Sequence, residues 1–309
     1  MVRNMRTRLG IVLIIITCAG TVQAQLNSFL YTQNSFVNLN PSFAGSNGNL
    51  RDQCFAGDIS PGLGTLKRVF YNAFDMYLPS IKSGLALTGY YEDFGSSDYQ
   101  TKSYSISYAK YFSLRNDKIK FIPSLQIGLR QERSQRLMYT SPPGQPWFWE
   151  VGTYENDHMI IALGGLFNIK NFYFGASFYD LQPISRREQY NPFLDRYNFH
   201  ASYNVHAAKW MLIHFSGNVS VNSHSYSTLN LSLNALLFRH LLLGGGIQQR
   251  ESYFVSIGYR GHRFSVGLRY HVTLFSGFAP YGHEGFTAMA TFNLRKKELR
   301  KEVLNFEAW

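Results

Sequence analysis

From residue 49 to residue 294 the chain is a succession of short segments in which apolar and polar residues alternate. In one of them Phe264, Val266, Leu268, Tyr270 and Val272 fall on one face, and Arg263, Ser265, Gly267, Arg269 and His271 on the other. Leu229, Leu231, Leu233, Ala235 and Leu237 repeat the pattern against Thr228, Asn230, Ser232 and Asn234. Tyr197, Phe199, Ala201, Tyr203 and Val205 do so against Asn198, His200, Ser202, Asn204 and His206. Successive side chains of a strand point to opposite faces, so each segment makes a strand with one greasy and one wet side. Two architectures accept such strands. In a soluble sandwich the wet face meets solvent; in a membrane barrel it meets the lumen.

The connections choose between them. Strands are predicted near 49–58, 66–78, 83–92, 101–112, 119–132, 159–168, 171–179, 196–206, 209–219, 225–237, 240–248, 252–260, 262–273 and 285–294, fourteen in all. The even-numbered connections are tight: 79–82, 114–117, 169–170, 207–208, 238–239 and 261. The odd ones are mostly longer: 59–65, 93–100, 133–158, 180–195, 220–224 and 274–284, with 249–251 the exception. Outer-membrane barrels have an even number of strands, short periplasmic turns and long outer loops, whereas a sandwich has no reason to put its long loops at one end. The predicted fold is all-β: a transmembrane up-and-down antiparallel β-barrel of about 14 strands spanning residues 49–294.

The N-terminus supplies the address. Residues 1–24 have a basic start (Arg3, Arg6, Arg8), an apolar stretch from Ile11 to Ile16 and small or polar residues up to Ala24. This reads as a secretory signal peptide cleaved before Gln25; its apolar core is too short to cross a bilayer. Cys18 would suit lipid attachment, but Ile15-Ile16-Thr17 fits a lipobox poorly. No segment approaches the about 20 consecutive apolar residues of a membrane helix. Aromatic residues are 16% of the chain, clustered near strand ends as at Tyr90-Tyr91 and Phe172-Tyr173-Phe174, where barrels carry their interfacial girdles. Charged residues are also only 16%, too few for an ordinary soluble surface. The formal charge is +11, three of it in the leader, which suits anionic surfaces. No basic run with interleaved aromatics suggests nucleic acid. Two segments flank the barrel: an Asn/Ser-rich N-terminal periplasmic segment, 25–48, and a basic amphipathic C-terminal periplasmic tail, 295–309.

Residues with chemical potential are few. The two cysteines are Cys18 and Cys54, and Cys54 alone can form no intrachain disulfide in the mature chain. His200 and His214 are expected nearly opposite each other in the lumen, but no carboxylate or thiol is placed to complete a metal site. Ser276 with His283-Glu284 admits a lipid-hydrolase reading that nothing in the spacing supports. Gly244-Gly245-Gly246 opens no helix and is no phosphate loop. No cofactor and no catalytic residue is expected. Trp147, Phe148 and Trp149, in the longest loop, are the most suggestive surface group, since Trp is favoured at binding hot spots.

One stretch resembles a known family. Tyr31-Thr32-Gln33-Asn34, followed by Val37-Asn38-Leu39-Asn40-Pro41-Ser42-Phe43-Ala44-Gly45-Ser46, is similar to the N-terminal signature of PorP/SprF, outer-membrane proteins of Bacteroidetes type IX secretion and gliding systems. Ser42-Phe43 replaces the commoner Ala-Tyr of that signature. Leu229 to Gly246, Val266-Gly267-Leu268-Arg269-Tyr270 and Gly282-His283-Glu284 resemble later parts of the family, whereas residues 295–309 extend past its usual aromatic end. The resemblance implies an outer-membrane role in moving cargo proteins to the cell surface. It implies outer-membrane lipids and other type IX components, translocon or periplasmic lipoprotein subunits, as partners. Asn40, Pro41 and Phe43 of the signature then join Trp147, Phe148 and Trp149 as candidate partner-binding residues. A passive porin is the alternative reading. The strand pattern predicts a heat-modifiable protein: unheated and boiled samples should migrate differently on a denaturing gel, and a helix-dominated circular dichroism spectrum would exclude the barrel.

Overall fold

The structure, a computed structural model, describes residues 36–48, 50–59, 67–94, 99–115, 118–140, 148–179, 196–222, 227–248, 252–261, 263–273 and 283–294. The signal peptide and the C-terminal tail read from the sequence lie outside the described residues. Fifteen strand segments follow one another: β1 (Leu50–Ile59), β2 (Lys67–Leu78), β3 (Ser83–Phe94), β4 (Tyr99–Lys110), β5 (Phe112–Leu114), β6 (Ile119–Thr140), β7 (Phe148–Ile169) and β8 (Phe172–Tyr179). After them come β9 (Arg196–Ala208), β10 (Met211–Asn222), β11 (Ser227–Leu237), β12 (Leu241–Gln248), β13 (Ser252–Arg260), β14 (Phe264–Thr273) and β15 (His283–Leu294). The segments β4 and β5 lie end to end against β6, broken only at Tyr111. They share one place in the wall, so the sheet has fourteen strands.

Each strand pairs antiparallel with its sequence neighbours, and β1 pairs with β15 from Leu50↔Leu294 to Ile59↔Gly285. That last ladder closes the cylinder. Closure is what the bilayer demands, because an open edge in hydrocarbon would leave backbone groups unpaired.

The two faces sort as the alternation predicts. Leu87, Ile106, Leu129, Val255 and Leu268 point outward and are all more than half exposed, the surface a lipid bilayer covers. On β14 their inward neighbours Gly267, Arg269 and His271 are buried. Gly128 and Gly175 also sit on the inner face. A Cβ on Gly175 would come within 2.7 Å of the His200 ring.

Two features differ from expectation. The predicted 133–158 loop is mostly strand: β6 and β7 pair continuously to Thr140↔Phe148. On one side β4 stops at Arg133, and on the other β8 stops at Ala162. The hairpin therefore rises about 20 Å above the last β4 pair as a two-stranded ribbon. The turn expected at 207–208 falls instead at Lys209-Trp210, next to a bulge at Met211/Leu212.

Among the described residues the short turns hold five non-glycine residues at positive φ: Lys82, Arg115, Lys170, Phe238 and Arg239, between 47° and 65°. L-residues pay about 1–2 kcal/mol each for that conformation.

Because the outward face meets lipid, Leu268→Arg should lower the unfolding free energy by about 2–4 kcal/mol if the position lies near the midplane. Native Arg269, one residue further on, is accepted because it points inward. Urea unfolding in lipid vesicles measures the difference, with Leu268→Phe as a near-neutral control.

Candidate functional site: a segment held inside the barrel

The residues of the Asn-Pro signature lie within the barrel. The sequence reading placed 25–48 outside it as a periplasmic segment. The part described, 36–48, instead packs against the inner wall, and Asn40, Ser42, Phe43 and Ala44 are fully buried. The local structure follows from sequence. Phe36–Leu39 makes a single helical turn, and Pro41–Phe43 a 3-10 turn with Pro41 at its start. Asn40 caps the second turn: its side-chain oxygen accepts from the Ser42 backbone N–H at 2.9 Å. Gly45 takes φ +71°, and a Cβ there would lie 2.7 Å from both Gly84 Cα and the Met76 carbonyl. Only glycine fits.

Backbone groups taken out of water need partners, and lumen-facing side chains supply them. The Asn40 amide donates to the Gly165 and Ala176 carbonyls at 3.1 and 3.0 Å and lies 3.0 Å from His200 Nε2. Ser177 donates to the Leu39 carbonyl at 2.7 Å, joined there by Asn198 at 3.2 Å. Tyr179 and Arg196 donate to the Asn38 carbonyl at 2.8 and 3.2 Å. Tyr111 donates to the Ala44 carbonyl at 2.7 Å. Ser42 and Ser124 hydroxyls meet at 2.8 Å. The far end is fixed by charge: the Gly45 N–H donates to Asp75 Oδ2 at 2.8 Å, and Asp75 holds Arg51 through bonds of 2.7 and 3.1 Å. That pair is buried and bidentate, the geometry in which arginine and carboxylate bind best.

Apolar packing completes the seat. Phe36, Val37, Leu39, Phe43 and Ala44 form one cluster with wall residues that include Tyr77, Ile122, Leu166 and Tyr173. The Phe43 ring lies 5.3 Å from those of Phe36 and His200 and edge-on to Tyr173 at 6.1 Å. Two glycines flatten the wall beneath: a Cβ on Gly84 would sit 1.9 Å from the Ala44 carbonyl, and one on Gly164 2.3 Å from Asn40 Oδ1. Across from the segment, Arg269, Ser256, Asn234 and Asn218 face Phe36, Leu39 and Phe43 over a cavity of about 40 Å³. A space of that size takes a few waters, not a polypeptide.

The sequence-predicted site residues therefore separate. Asn40, Pro41 and Phe43 serve as internal anchors, and burial removes them from any outer docking surface in this conformation. Trp147 lies outside the described residues; Phe148 and Trp149 open β7 opposite Thr140 and Tyr139 at the ribbon tip, described for backbone only. His200 and His214 are not opposite each other: His200 pairs with Asn218, and His214 with Asn204. The shifted turn and bulge account for the changed register. Each ring has its own partners, His214 bonding Asn204 at 2.6 Å and lying 3.4 Å from the Tyr173 hydroxyl. Among the described residues no three metal-ligating side chains converge. Ser276 is outside the described residues, and the His283 and Glu284 side chains are not described. The wall residues that hold the segment were missed because their common target is visible only after the barrel closes.

A family model for the type IX secretion system membrane protein PorP/SprF matches residues 21–289, a span containing the internal segment and nearly all of the barrel. The chain belongs to the PorP/SprF family. Among curated proteins none matches. The Ralstonia pickettii toluene transporter TbuX superposes with a TM-score of 0.55 at 12% identity, covering 84% of this chain and 92% of that one. The Acinetobacter baumannii outer-membrane protein Omp33 gives 0.49 at 9% identity, covering 79% and 97%. The likeness to TbuX is one of fold alone. As a PorP/SprF barrel, the chain is an outer-membrane component of type IX secretion.

Two variants test the seat. Gly84→Val with Gly164→Val should leave the barrel heat-modifiable while displacing the segment, read as new protease cleavage between residues 36 and 48. Asp75→Ala strands Arg51 without its carboxylate and should cost about 3–5 kcal/mol in unfolding experiments.

Proposed function

We propose that this PorP/SprF barrel supports export of cargo proteins to the cell surface by docking other type IX components, and does not itself conduct. The observation behind this reading is the occupied lumen. Residues 36–48 are buried against one side of it, and a cavity of about 40 Å³ lies between them and Asn218, Asn234 and Arg269 among the described residues. A passive porin needs a continuous water path, and a conduit for cargo needs a wider one. With the bore taken up by the protein's own chain, what remains for function is the exterior. Its most prominent part is the β6–β7 ribbon, whose tip carries Phe148 and Trp149 beside Trp147 in sequence. Trp and Phe at such a tip suit anchoring in a partner's pocket. The second docking element is the basic tail, 295–309.

The test combines conductance with partner recovery. In planar bilayers the full mature chain should give little steady conductance, whereas the Gly84→Val, Gly164→Val form should conduct. Pull-down from native outer membranes should recover other secretion proteins. Recovery should weaken on deleting 296–309 or on Trp147→Ala with Trp149→Ala, with heat-modifiability unchanged. Large conductance from the unmodified chain would favour the porin, and an unchanged partner list would remove tail and tip from the mechanism.

A further inference from the structure

Each of the six even-numbered turns, which share one end of the barrel, carries a cation. Going round the rim these are Lys82 between β2 and β3, Arg115 and Lys118 before β6, Lys170 before β8, Lys209 before β10, Arg239 before β12 and Arg263 before β14. All are exposed. The described residues of these six turns include no carboxylate; Asp117, outside the described residues, is the one acidic residue in their sequences. The opposite end is mixed, with Asp93, Glu155 and Asp157 beside Arg68, Lys102 and Arg133.

The backbone gives no reason for this choice. Of the five non-glycine residues with positive φ, four are these cations: Lys82, Arg115, Lys170 and Arg239. That conformation favours Gly, Asn or Asp. Lysine and arginine there cost stability, so the charge itself is what the position supplies. Next to the cations stand exposed apolar groups, Ile81, Phe112, Phe172, Trp210 and Phe238 among them. Trp210 stacks on Phe238 at 5.3 Å between Lys209 and Arg239. Rings and long basic stems at one level are the chemistry of a membrane–water interface.

We propose that the short-turn rim is a binding ring for the phosphate groups of anionic phospholipids in the surrounding leaflet. The cations run round the whole circumference, which matches an annulus of lipid; a docked protein would need a patch on one side. The apolar groups beside them lie where acyl chains begin. The interaction is with phosphate charge, so salt screens it.

Trp210 provides the reporter. With Trp147→Phe, Trp149→Phe and Trp309→Phe it is the sole tryptophan, and brominated lipids quench it on contact. The full mature chain, reconstituted in mixed vesicles, should be quenched more by brominated phosphatidylglycerol than by brominated phosphatidylcholine at equal bulk fraction. The expected enrichment is about threefold or more at low ionic strength, falling as salt rises. Replacing Lys82, Arg115, Lys170 and Arg239 together by Asn suits the backbone better, so the barrel should unfold at equal or higher urea while the preference disappears. Movement in opposite directions separates a lipid role from a structural one. Equal quenching by the two lipids in the parent chain, or a preference that survives the four Asn substitutions, overturns the proposal. If polyglutamate binds the parent in phosphatidylcholine vesicles while no lipid preference is found, the rim belongs to an acidic protein partner instead.

Discussion

The structure depends on one constraint: a sheet that crosses hydrocarbon can leave no backbone group unpaired. The β1–β15 ladder meets it by joining the two ends of the sheet. Once that ladder exists, side-chain alternation has a fixed meaning. Every outward residue faces lipid, and every inward residue faces a space that must be filled with water, side chains or more chain. At fourteen strands the bore is too wide for wall side chains alone to fill. The chain fills one side of it with Phe36, Phe43 and their neighbours and leaves the other lined by amides, hydroxyls and imidazoles.

This division explains why a polar wall can hold an apolar wedge. Ser177, Tyr179, Asn198 and Tyr111 spend their hydrogen bonds on the backbone of the inserted segment, and Gly84 and Gly164 clear room for it. Each inward group examined singly looks like generic lumen polarity. Taken together they form a template for one short backbone shape, fixed by the Asn40 cap at one bend and by Asp75 at the other.

Much of the wall was legible because lipid imposes a strict two-residue period. Phe264 to Val272 reads as a strand without ambiguity, and β13 and β14 fall within two residues of their predicted places. Legibility ended where the lipid ended. Beyond the last β4 pair the sequence Arg133-Ser134-Gln135-Arg136 is polar without alternation, so it looked like loop. The internal segment was unreadable for another reason. Asn40, Ser42 and Ser46 are polar, and polarity without period suggests an exposed turn; the wall partners of Asn40 and Ser42 lie 82 to 160 residues away. Only the family resemblance marked those residues as special, and it could not say that their role is internal.

The inserted segment runs straight into β1, and β1 is half of the seam that closes the barrel. Residues 36–48 therefore share the fate of that seam: a β1 that is not paired with β15 carries the segment away from the wall that holds it. The seam joins the two most distant strands in sequence, the slowest kind of contact to form. The seated segment bonds to β2, β6, β7, β8 and β9 at once, so it ties five strands together across the bore, a brace at right angles to the ladders of the wall.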